Sequence, residues 1–179
     1  MKKLILKTLL RGSVIHGFKL RIVLLFFAAS LIGPPALQAA KYEFRAGGLS
    51  FWLPDDWNVD LEAKTMTGFS LGREAFLKLS LIVDVNNLNA AFLKYPETLQ
   101  PDIIAYRETK ARSAVAMAGI EGLSAGGEGI IDGVKKRVQV VVFKTPRAFV
   151  VLAWSVAAEK SGQYKPIFER ITGSINTGL

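Results

Sequence analysis

Eleven residues near the end of the chain, Ala148 to Ala158, read Ala-Phe-Val-Val-Leu-Ala-Trp-Ser-Val-Ala-Ala, with Ser155 the single polar side chain. So short and apolar a run, entered through Thr145-Pro146-Arg147, predicts a strand buried on both faces. Such a strand lies centrally in a sheet, so the chain has to supply neighbouring strands and a covering layer.

The neighbours are readable on both sides. Leu123 to Ile131 and Val134 to Lys144 are joined at Asp132-Gly133, the strongest hairpin signal in the chain. Ala75 to Val85 alternates, with Leu77, Leu79, Leu81, Val83 and Val85 on one side and Lys78, Ser80 and Asp84 opposite. Tyr42 to Ala46 and Leu49 to Leu53 flank Gly47-Gly48, a second hairpin that Pro54 closes. Trp57, Val59, Leu61 and Ala63 alternate with Asp56, Asn58, Asp60 and Glu62, and Met66 to Leu71 forms a further short strand.

Helices follow from the other period. Asn86 to Tyr95 contains a short one that Pro96 ends. Pro101-Asp102 opens a second, with Leu99, Ile103 and Tyr106 as its apolar stripe. A last helix starts near Ser161, and Tyr164, Phe168, Ile171 and Ile175 recur at helical spacing. The expected fold is α+β: an antiparallel sheet with helices packed on it, an α/β/α sandwich, over residues 41–177.

The first forty residues are a different material. Lys2, Lys3, Lys7, Arg11, Lys19 and Arg21 precede any acid, the first of which is Glu43. An uncharged run of 12 residues, Ile22 to Gly33, is broken by Pro34-Pro35 and followed by Ala36-Leu-Gln-Ala-Ala40. This is the layout of a secretory signal peptide over residues 1–39, with cleavage after Ala39 or Ala40. A bilayer span needs about 20 apolar residues, so the alternative, an uncleaved anchor in the inner membrane using residues 22–33, fits less well. Cleavage removes six of the 23 basic residues and none of the 15 acids, so the net charge falls from +8 to +2. The basic excess therefore belongs to the leader, and the remaining chain lacks the charge that nucleic-acid binding uses.

Composition also narrows the chemistry. There is no cysteine, and the only histidine is His16, inside the leader. Disulfides, thiolate metal sites, a cysteine nucleophile and a Ser-His-Asp site are all excluded. A Ser–Lys pair such as Ser80 with Lys78 stays open, because geometry decides it. Asp56-x-Asn58-x-Asp60-x-Glu62 imitates the start of a calcium loop but has Leu61 where that loop needs glycine and Thr67 where it needs glutamate, so it reads as a solvated strand face. Gly127-x-Gly129-x-x-x-Gly133 leads into a strand rather than a helix, so it reads as hairpin backbone and not as a phosphate loop. Lys135-Lys136-Arg137 should be split between two faces by the strand period. No cofactor and no metal are expected.

The run Leu49-Ser-Phe-Trp-Leu-Pro-Asp-Asp-Trp57 resembles the opening of PsbP-like proteins: a strand, a proline, two residues and a tryptophan. The ending fits the same pattern, with a small-residue strand from Gly122, a hairpin, a long apolar strand and a helix closing in Phe168-Glu-Arg-Ile-Thr-Gly-Ser-Ile175. That fold is shared by PsbP, the Ran-binding nuclear-import factor and bacterial envelope proteins of the DcrB type. The resemblance implies a non-enzymatic scaffold that binds larger partners, and it carries no shared set of functional residues. The chain lacks the lipobox cysteine of many bacterial relatives and the histidines of some photosynthetic ones. The expectation is an exported, non-enzymatic binding or assembly protein of the bacterial envelope, periplasmic or secreted, whose partner is another envelope protein. It would touch the membrane only if the leader were retained. A small-molecule or lipid carrier using a cleft between sheet and helices is the alternative. Trp52 is the aromatic expected outside the core, Trp154 is expected within it, and Trp52, Asp56, Lys135 and Lys136 are the candidate partner contacts.

Overall fold

The computed structural model describes residues 39–178. The expected leader lies outside them apart from Ala39.

The apolar run forms β9 (Phe149–Val156), and it does lie centrally. It pairs antiparallel with β5 (Ala75–Ile82) on one side and β8 (Val134–Lys144) on the other. Phe149, Val151 and Ala153 enter one core, Val150 and Leu152 the other, so both faces are buried as its composition demands. β3 (Asn58–Leu61) and β4 (Thr65–Phe69) extend the sheet beyond β5. β6 (Ile104–Met117) and β7 (Ile120–Ile131) extend it beyond β8, giving seven antiparallel strands in the order β3-β4-β5-β9-β8-β7-β6. A separate hairpin, β1 (Ala39–Phe44) with β2 (Leu49–Pro54), forms a two-stranded sheet. Ala39 and Ala40 open β1, opposite Pro54 and Leu53.

Each face has its own cover. Helix α1 (Leu88–Thr98) buries Ala91, Phe92 and Tyr95 among Phe76, Val138, Val140, Val142 and Val151. Helix α2 (Ser161–Gly173) buries Tyr164, Phe168 and Ile171 on the opposite side, together with Phe44, Leu49, Phe51 and Leu53 of the hairpin. Asn87 caps α1 by accepting from the Ala90 N–H at 2.8 Å. Asp132 and Gly133 both have positive φ (54° and 75°) between paired Ile131 and Val134, as a two-residue turn matched to strand twist requires.

Four expectations are corrected. α1 does not end at Pro96 but runs on to Thr98, because Phe92, Tyr95 and Leu99 are buried on the sheet and hold the last turn despite the missing N–H. There is no helix after Pro101; the Gln100–Pro101 peptide is cis and β6 begins at Ile104. Leu99 and Ile103 are buried beneath that connection and Tyr106 sits in β6, so their spacing imitated a helical stripe. The alternation read from Trp57 to Ala63 forms a strand only over Asn58–Leu61, at the sheet edge, and Leu61 and Ala63 are exposed although the alternation puts them on one face with buried Trp57. Trp154 is only partly buried, packed against the core from its margin. The segment from Asp56 to Glu62 is otherwise solvated as its alternation suggested, with Trp57 buried and Asp56, Asn58, Asp60 and Glu62 exposed.

Candidate functional site

Strand register decides what each face offers. On the α2 side, β7 contributes Gly122, Ser124 and Gly126, which lie opposite Phe143, Val141 and Gln139 of β8. A strand face with no large side chains leaves room for side chains of the flanking strands to lean over it. The Lys110 stem lies across Gly126, with its Cδ 2.9 Å from where a Cβ would stand and the Gln139 amide 3.0 Å away on the other side.

Helix α2 covers only part of this face. Phe168 anchors it, meeting the Trp57 ring edge-on at 6.0 Å and the Trp154 ring stacked at 5.9 Å. Beside Trp154, between α2, the sheet and β6, lies an open cleft of about 750 Å³. Its floor is Val141, Trp154 and Val156; Phe168 and Lys165 stand on the helix wall, and Val115 and Met117 on the β6 wall. Drug-sized ligand sites span about 300–1,000 Å³ and are mostly apolar with a few polar groups, which this cleft matches.

The charges at its edge are mostly positive. Lys110 lines it from β6 and Lys165 from α2, while Glu169 is its one acid. Lys165 and Glu169 approach only to 3.9 Å, one turn apart on an exposed helix face. Register places Arg137 opposite Val156 and Glu128, and Arg107 opposite Glu128, so a further row of charge continues past the end of the floor. Lys135, 2.6 Å from Glu128, holds that carboxyl below the usual carboxylate range, with Arg137 and Arg107 acting in the same direction.

The residues singled out from sequence do not assemble into one site. Trp52 is 43 % exposed on β2, where its backbone N–H donates to Ser174 Oγ at 2.9 Å. Asp56 is exposed in the turn that follows. Lys135 points to the cleft side and pairs with Glu128, whereas Lys136 points to the other face and donates to the Arg73 carbonyl at 3.1 Å. The strand period splits this basic cluster as expected.

Lys78 and Ser80 do not form a dyad. Lys78 is 2 % exposed, and its ammonium donates to the Leu99 and Gln100 carbonyls at 3.0 and 2.9 Å and pairs with Asp102 at 2.7 Å. Ser80 Oγ donates to the Thr98 carbonyl at 3.3 Å. Both side chains secure the C-terminal turn of α1, where a cation also meets the negative end of the helix dipole. Tyr95 Oη donates to Glu108 at 2.9 Å and lies 3.1 Å from Tyr106 Oη; burial first, and then Tyr106, push its hydroxyl far above the usual tyrosine range. Among the described residues there is no group of three or more His, Cys, Asp or Glu side chains able to hold a metal ion.

The cleft residues Lys110, Trp154, Lys165 and Phe168 were not among the sequence candidates. The signal for them was the Gly-x-Ser-x-Gly at 122, 124 and 126, which marks a strand with one bare face.

No protein-family model and no curated protein matches the chain. Solved structures do. The solution structure of cyanobacterial PsbP from Synechocystis aligns over 80 % of this chain and 95 % of its own, with a TM-score of 0.56 at 13 % identity. This chain has the PsbP-like fold. A structure from Bacteroides thetaiotaomicron aligns at TM-score 0.53 and 11 % identity over 78 % of this chain and 48 % of its own. LpqN of Mycobacterium tuberculosis, described as involved in cell envelope biogenesis, aligns over 78 % of this chain and 90 % of its own, but at TM-score 0.42 and 15 % identity. In this chain the cleft lies between α2 and the part of the sheet that the helix leaves uncovered. Among the described residues no helix is long and apolar enough to cross a membrane.

Proposed function

We propose that this chain is an exported, non-enzymatic binding protein of the bacterial envelope that takes its ligand in the cleft beside α2. The observation that carries the reading is the cleft itself: about 750 Å³, floored by Val141, Trp154 and Val156 and walled by Phe168, on a sheet whose opposite face is filled. The leader composition of residues 1–39 supports export, and the lack of cysteine and of any histidine beyond His16 supports binding over catalysis. This favours the carrier reading over a pure assembly role, because an assembly surface has no need of a concave apolar trough. A carrier hands its cargo on, so a second envelope protein is part of the proposal. Exposed Trp52, with Asp56 beside it in sequence, is the contact we assign to that protein.

The test is isolation of the chain from the envelope fraction of an expressing bacterium, followed by native mass spectrometry and N-terminal sequencing. A chain beginning at Ala40 or Lys41 and carrying a bound small molecule is the expected result. An intact leader would replace export by the membrane-anchored form using residues 22–33. Turnover of a substrate that a single carboxylate substitution abolishes would overturn the non-enzymatic reading.

A further inference from the structure

We infer that the cleft takes a single-chain amphiphile with an anionic head, its tail on the apolar floor and its head between Lys110 and Lys165; this rests on the reading of the cleft as the binding site. The floor is a strip of aliphatic and indole surface with Gln139 as its polar interruption, suited to a hydrocarbon chain and not to a sugar or a nucleotide. The two lysines come from opposite walls, one on β6 and one on α2. Lys110 lays its stem over Gly126 and carries its ammonium to the rim, as a long cationic side chain does when apolar surface meets water. The distance of 3.9 Å leaves Lys165 only loosely held by Glu169. Arg137 and Arg107 add positive potential past the end of the floor, where Lys135 already neutralises Glu128. A cationic or neutral head would forgo this field. The chain's own first 38 residues, with six cations and no acid, are a poor match for the same rim.

Calorimetric titration of the full chain with dodecanoate, dodecanol and dodecyltrimethylammonium, each kept monomeric, tests the assignment. The expected result is saturable one-to-one binding of dodecanoate, at least tenfold tighter than the other two. Affinity should change about two- to fourfold per methylene across decanoate, dodecanoate and tetradecanoate. Lys110→Gln with Lys165→Gln should weaken dodecanoate about tenfold while leaving the thermal midpoint in place, and the Lys→Arg pair should restore it. Equal binding of dodecanol and dodecanoate, or no effect of the double substitution, would overturn the anionic head and leave the cleft as a binding site. Binding to phosphatidylglycerol vesicles without uptake of monomer would replace the proposal by a membrane-surface contact. Failure of every probe to bind would remove both this inference and the cleft reading beneath it.

Discussion

The two faces of the sheet come from the same seven strands and end in opposite conditions. On the α1 face, side chains fill the space under the helix, and apart from Ser155 Oγ, which is buried without a partner among the described residues, the polar groups there are matched: Lys78 to two carbonyls and Asp102, Ser80 to a carbonyl, Tyr95 to Glu108. On the α2 face, the helix and the β1–β2 hairpin cover one half, and the rest is a trough with cations along its edge. Stability is concentrated where packing is complete, and recognition is available where it is not. If this contrast is right, substitutions on the filled face should act on folding, and substitutions along the trough should act on binding.

Lys78→Ala should have the largest effect. It leaves the Leu99 and Gln100 carbonyls and Asp102 without their common donor and opens a cavity under α1. Breaking a buried ion pair costs about 3–5 kcal/mol, and the partial exposure of Asp102 puts this one near the lower bound. Urea unfolding measures it; a loss below about 1 kcal/mol would deny that the α1 face is the locked one. Lys110→Gln, a lysine on the trough, should stay within about 0.5 kcal/mol of the parent.

A neighbouring pair of glycines sharpens the contrast. Gly127 faces α1, where a Cβ would stand 2.5 Å from the Arg107 carbonyl and 2.6 Å from the Tyr106 ring. Gly126 faces the trough, where a Cβ would meet the Lys110 stem and the Gln139 amide, both flexible side chains. Gly127→Ala should therefore cost about 2–3 kcal/mol by overpacking, and Gly126→Ala less than about 1 kcal/mol. Gly126→Ala should still shift Lys110 and alter dodecanoate affinity. Thermal unfolding and calorimetry on the two variants decide between packing and binding at adjacent positions of one strand.

The same contrast explains what could be read from sequence. β9, the Asp132-Gly133 turn and the α2 stripe are legible because each is dictated by burial or by a turn whose backbone only certain residues adopt. β6 was not legible. It is a sheet edge with most of its residues exposed on both faces, and three register shifts between Ile104 and Ser113 break its alternation. Pro101-Asp102 ahead of it then imitated a helix start. Such charges and bulges also blunt the edge against pairing with another chain. The exposure of Trp52 was legible, since β2 carries large groups on both faces and only one faces the core. The cleft was not, because it arises from what β7 lacks across three strands and lies along the flank of α2, from Ser161 to Thr172. Trp154 belongs to the most apolar strand and still ends at the margin, stacked on Phe168 and lining the cleft.

Two surface carboxylates, one at each face, provide the smallest test. Asp132 accepts both Nε and an Nη of Arg73, at 2.8 and 2.7 Å, while Arg73 lies over the Phe69 ring on the α1 side. Glu128 pairs with Lys135 on the trough side. Both carboxyls are held below their ordinary values of 3.8 and 4.5, Asp132 by Arg73 and Glu128 by Lys135. A folded-state value below the unfolded one adds stability that is fully present above the unfolded pKa and lost as pH falls through the folded pKa. Stability from both groups should therefore hold above about pH 5 and decline below pH 4. Asp132→Asn keeps the turn and should remove its share of that decline, a few tenths of a kcal/mol for an exposed pair, with no change in ligand affinity. Glu128→Gln should also flatten the acid side, but in addition it releases Lys135, Arg137 and Arg107 at the end of the trough. Dodecanoate should then bind about twofold more tightly at low salt, and the gain should vanish at 1 M salt, where the screening length is about 3 Å. If both variants left affinity untouched, the charge row past Val156 would play no part in recognition, and the rim would reduce to Lys110 and Lys165.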